Sequence, residues 1–103
     1  MIEVITIVNF VIEVANAKDY PKNVENALQS NTPMIQYIET VSISSINEYM
    51  KVNASAKYRV LIEERKDNKF LDDYVGLVLP MFYNRFNGMP VSNLIYKISR
   101  IER

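Results

Sequence analysis

Residues 1–15 read MIEVITIVNFVIEVA, and whether they form a strand, a helix or a membrane anchor decides the architecture. The polar residues are Glu3, Thr6, Asn9 and Glu13, with Asn16 just beyond. At about 100° per residue all of them fall within an arc of roughly 140°, one stripe of a helix. As a strand, Glu3, Asn9 and Glu13 face one way and Thr6 and Asn16 the other, so neither face is clean. β-Propensity points to strand, through Val4, Ile5, Thr6, Ile7, Val8, Val11, Ile12 and Val14. Pattern outweighs propensity in a packed domain, so the periodicity predicts an N-terminal helix. A membrane span is excluded because the apolar run is shorter than about 18 residues and is cut by glutamates. The lack of a basic start, with Glu3 and Glu13 inside the run, argues against a secretory signal.

The whole chain has 103 residues, 49% hydrophobic and 23% charged, which suits one globular domain over residues 1–103. Its formal charge is zero, so composition favours neither a phosphate backbone nor an anionic membrane as partner. It contains no histidine and no cysteine. That removes disulfides, thiolate chemistry, the usual zinc ligands and the side chain that titrates unaided near neutrality. No spacing of the remaining tyrosines, lysines and carboxylates builds a catalytic group, so no enzyme activity, cofactor or metal is expected.

Beyond Asn16 the chain turns polar. Asp19-Tyr20-Pro21 suits a helix start, and Val24, Ala27 and Leu28 give one short apolar face, the pattern of a brief helix or an ordered loop that Asn31-Thr32-Pro33 breaks. From Met34 to Ser44, Ile35, Tyr37, Val41 and Ile43 share a face with Glu39 intruding, the pattern of a half-buried strand. Ser44, Ser45 and Asn47 mark a hairpin tip around Glu48 and Tyr49. From Val52 to Glu64, Ala54, Ala56, Tyr58, Val60 and Ile62 point inward while Ser55, Lys57, Arg59 and Glu63 point to water. Lys66-Asp67-Asn68 caps a predicted long helix from Lys69 to Phe86, with an apolar band of Phe70, Leu71, Tyr74, Val75, Val78, Met81, Phe82 and Phe86. Pro80 must kink or interrupt it, its ring meeting the carbonyl of Gly76. Asn87-Gly88 and Pro90 stop it, and Val91 to Ile101 forms a last strand, with Leu94, Tyr96 and Ile98 on one face.

The expected fold is therefore α+β. It has an antiparallel sheet of about three to four strands, packed against an N-terminal helix and one long, Pro-kinked helix. On the sheet's second face would lie Met34, Ile38, Leu61, Ile95 and Ile101, more apolar surface than a free monomer normally shows. Either the N-terminal helix or a partner covers it.

The Pro-led segment Thr32–Ile38, the tip Ile46–Tyr49, the alternating strand Ala54–Ile62 and the helix opening Asn68–Tyr74 together resemble the tail terminator (tail completion) proteins of long-tailed bacteriophages. In that family an N-terminal helix precedes these elements. The likeness covers residues 1–101 and rests on element order and spacing, without a short diagnostic motif. It implies a virion structural protein, assembled in the host cytoplasm. Such a protein forms a ring, usually a hexamer, that caps the tail tube and joins it to the head connector. Its partners would be copies of itself, the tail tube protein and the head connector protein, with no nucleic-acid sequence recognition and no membrane. A small regulatory or inhibitory module that binds through its sheet face or edge is the alternative.

Candidate interface residues are Asn47, Glu48, Tyr49 and Lys51 at the hairpin tip, Lys57 and Arg59 in an outward charged row with Glu63, and Tyr83 with Arg85 at the end of the long helix. Each has a plainer reading, as solvated turn, solvated strand face or core packing. Asp67, Asp72 and Asp73 balance the macrodipole of a first helical turn better than they hold a cation. Glu39 is either a buried carboxylate or a residue near an edge or an ion pair.

Overall fold

The stretch Ile2–Glu13 is a β-strand, β1, and not the helix its polar stripe predicts. In the computed structural model, which describes residues 2–15, 18, 20–29, 31–63, 72, 74–83 and 91–102, β1 lies at the centre of a sheet. It pairs antiparallel with β3 (Lys51–Ile62) on one side and with β4 (Val91–Glu102) on the other. Its alternation is cleaner in three dimensions than on paper. Ile2, Val4, Val8, Phe10 and Ile12 enter the core with Thr6, while Glu3, Asn9 and Glu13 take the opposite face. Thr6 is tolerated there because its hydroxyl is satisfied, donating to the carbonyl of Lys97 at 3.1 Å and accepting from the Tyr74 hydroxyl. A central strand flanked on both sides carries apolar residues at odd positions too, such as Ile5, Ile7 and Val11.

The chain then forms α1 (Tyr20–Leu28), β2 (Ile35–Ile43) and the hairpin into β3. Between β3 and β4 the described helical elements are a π-helix, Tyr74–Val78, followed by α2, Leu79–Tyr83. Sheet order is β2-β3-β1-β4, all antiparallel, with α1 between the first two strands and helix again between the last two. This is the order of the split βαβ, or ferredoxin-like, arrangement.

The α+β class and the antiparallel sheet match expectation, while the long Pro-kinked helix is not seen. The helical pieces are short, and the switch from π to α falls just ahead of Pro80. A wider turn there accommodates a ring that would otherwise meet the Gly76 carbonyl. The expected ends of that helix, residues 69–71 and 84–86, lie outside the described residues.

Both helical regions cover the same face of the sheet. Val24 and Leu28 of α1, and Tyr74, Val78 and Phe82, join the even-numbered side chains of β1 and β3 in one core. Tyr58 sits at its centre, its hydroxyl donating to the Leu28 carbonyl at 2.8 Å and its ring 5.0 Å edge-on from Phe82. Thr40 Oγ1 donates to Glu25 at 2.9 Å and bonds the Tyr37 hydroxyl at 2.7 Å, tying β2 to α1.

Bulges shift the outer strands. In β2 the register slips between Tyr37 and Glu39 and again between Thr40 and Ser42, so Val41 is 53% exposed instead of facing the core with Ile43. Glu39 is exposed opposite Lys57 and is not a buried carboxylate. In β4 a slip at Ser99 turns Ile101 to the core-side face, opposite Val4, and brings Arg100 opposite Ile5. Met34 packs against the core cluster. Of the residues expected on the second face, Ile38, Leu61 and Ile95 remain.

Candidate functional site: the open face of the sheet

With the N-terminal segment woven into the sheet, it cannot lie over it. Among the described residues no helix covers the face opposite the core, and Ile38 and Ile95 there are 41% and 58% exposed. Cross-strand neighbours share a face, so the pairing gives its layout directly. One row runs Gln36, Arg59, Ile5, Arg100; the next runs Glu39, Lys57, Ile7, Lys97; the third runs Ser42, Ser55, Asn9, Ile95. The fourth holds Asn53, Val11 and Asn93.

Two shallow depressions mark this surface. The first, of about 360 Å³, has Ile5 and Ile38 between Lys57, Arg59 and Arg100, with Ser99 beside them. Ile5 is buried without belonging to the core cluster. Arg59 meets Glu3 through Nε at 3.6 Å, and Arg100 meets Glu102 through Nε at 3.0 Å. The ammonium groups of Lys57 and Lys97 have no ion-pair partner among the described residues. The second depression, of about 320 Å³, is lined by Asn9, Asn53, Asn93, Ser42 and Ser55, with Ile95 at its side. Ser55 is only 6% exposed, and its hydroxyl makes no hydrogen bond among the described residues.

Of the sequence-predicted sites, Lys57 and Arg59 fall within this surface. The tip does not: Asn47, Glu48 and Tyr49 occupy the turn between β2 and β3, and Lys51 opposes Glu13 at the start of β3. That turn is built by Asn47, whose Oδ1 accepts from the amides of Tyr49 and Lys51, both at 2.9 Å. Tyr49 is 69% exposed and is not folded back on the core. Tyr83 is exposed at the end of α2, on the helical side, and Arg85 lies outside the described residues. Asp72 is exposed, Asp67 and Asp73 are outside the described residues, and among the described ones no cluster of metal-ligating side chains occurs.

Sequence reasoning missed Ile5, Lys97, Arg100 and the Asn9–Asn53–Asn93 group. Once β1 is read as a central strand, its odd positions align these residues without further information; only Arg100 also needs the bulge at Ser99. Among the described residues no helix is long and apolar enough to cross a membrane. Comparison with protein-family models, with curated proteins and with solved structures finds no match to this chain.

Proposed function

We propose that the chain is a non-catalytic binding module that holds a protein partner on the open face of its sheet. One observation carries this reading: both helical regions pack on one side, while the other side presents exposed Ile38 and Ile95 among charged groups, amides and hydroxyls. An apolar surface rimmed by polar groups is the usual make-up of an interaction site. The test compares affinity capture by wild type, by Ile38→Asp/Ile95→Asp and by Val75→Asp, the last altering an exposed residue on the helical side. A partner lost with the first variant and kept with the second supports the reading; loss only with Val75→Asp contradicts it.

The tail-terminator reading stands second. It is favoured by the order β2, hairpin, β3, helix, β4, and by two different strands, β2 and β4, at the sheet edges, of the kind that head-to-tail rings join. It loses its opening helix, since that element is β1. Under this reading, deleting the gene leaves tails of uncontrolled length without heads; uniform tails joined to heads refute it.

A further inference from the structure

The layout of the open face specifies what kind of partner it takes, an inference that rests on the binding-module reading. We infer that it binds an extended acidic peptide segment of another protein, laid along β1 from Ile5 to Val11. That distance of about 20 Å is spanned by about six extended residues.

The cationic half comes first. Lys57 and Lys97 flank Ile7 in one row, and Arg59 and Arg100 flank Ile5 in the next, so four cations frame two aliphatic side chains. Arg59 meets Glu3, Arg100 meets Glu102 and Glu39 stands opposite Lys57, so four cations face three carboxylates here and the surplus is positive. Guanidinium groups suit carboxylates, with which arginine forms paired hydrogen bonds. The adjoining half is uncharged. Asn9, Asn53 and Asn93 each offer both donors and acceptors, and the Ser55 hydroxyl is held buried without a partner. A buried hydroxyl left unsatisfied costs free energy unless something from outside bonds it. Peptide N–H and C=O groups supply both complements.

Nucleic acid fits less well. The residues of this face on β1, β3 and β4 include no aromatic side chain, so bases have no stacking platform. Exposed Ile38 and Ile95 suit aliphatic side chains instead.

The test is an NMR titration of the full chain with three probes: a capped octapeptide of alternating Glu and Val, its counterpart with Lys for Glu, and an oligo-dT of eight nucleotides. The Glu peptide is expected to perturb amides of Ile5, Ile7, Asn9, Ser55 and Lys57, with affinity falling at least tenfold in Lys57→Glu/Arg59→Glu and on raising salt. Ser55→Ala is expected to weaken binding severalfold while raising the melting temperature of the free chain, a pairing that a merely damaged fold does not give. If the Lys peptide binds this face as well as the Glu peptide, the acidic-partner inference fails and the binding-module reading survives. Tighter binding of oligo-dT overturns the inference in favour of a nucleic acid. If every probe leaves the face unperturbed, both the inference and the reading it rests on are contradicted.

Discussion

The hydroxyl of Tyr74 donates a 3.1 Å hydrogen bond to Oγ1 of Thr6, and the Thr6 hydroxyl in turn donates to the backbone carbonyl of Lys97. This relay joins the helical layer, the central strand and the edge strand β4 through one buried polar contact. It also explains why a threonine can occupy the core face of β1, the residue that makes the segment look helical in sequence.

Replacing Tyr74 by Phe removes one link and leaves the Thr6–Lys97 bond intact, at an expected cost of about 1 kcal/mol. Burial, the largest influence, pushes the Tyr74 phenol up to about 12, opposed by the hydrogen bond to Thr6 and reinforced by Tyr96. The folded chain then holds this proton more tightly than the unfolded one, whose tyrosine titrates at 10.0. The stability involved is complete below pH 10 and is lost as pH rises through about 12. Urea titrations across that window should show a steeper loss for wild type than for Tyr74→Phe; equal slopes would contradict the assignment.

Phe82 bridges the two central strands, with ring centroids 6.1 Å from Phe10 and 5.0 Å from Tyr58. Phe82→Ala is expected to cost about 3–5 kcal/mol, a large share of a small domain's stability, as measured by the urea midpoint. A loss below about 1 kcal/mol would mean that the helix does not seal this core.

At the hairpin tip Met50 has a φ of 60°, the left-handed region that suits glycine. Met50→Gly should stabilise the chain or leave it unchanged, whereas Asn47→Ala removes the acceptor for two amides and should cost about 1–2 kcal/mol. Thermal unfolding of the two variants should move them in different directions or by plainly different amounts.

A Cβ added at Gly76 meets nothing within 4 Å. The glycine therefore serves no close packing, and Gly76→Ala should raise stability by about 0.5–1 kcal/mol through the backbone entropy of the unfolded chain. A clear loss in thermal unfolding would show that the π-helical path before Pro80 depends on glycine.

Much of the fold is legible in the sequence where one face is wet. Val52–Ile62 alternates openly and is β3; Tyr20-Pro21 with Val24 and Leu28 marks α1. The first strand is illegible for a physical reason. A central strand whose second face carries Ile5, Ile7 and Val11 loses its alternation, and one satisfied threonine on the core side lets a helical stripe emerge by coincidence. Bulges are the other blind spot, since nothing local in Ile38, Val41 or Ser99 announces a register slip, yet each re-aims the residues after it. The candidate site inherits both problems: Lys57 and Arg59 could be read from β3 alone, whereas Arg100 and Lys97 join them only through β1.

The most direct measurement uses the absence of cysteine from the chain: thiol-labelling rates of the single variants Thr6→Cys, Asn9→Cys and Ile95→Cys. With β1 as central strand and its second face bare, Asn9→Cys and Ile95→Cys react at least about tenfold faster than Thr6→Cys, which opens only with the fold. Equal reactivity at positions 6 and 9, the signature of a helical stripe, or protection at position 95 in the free chain, would contradict it.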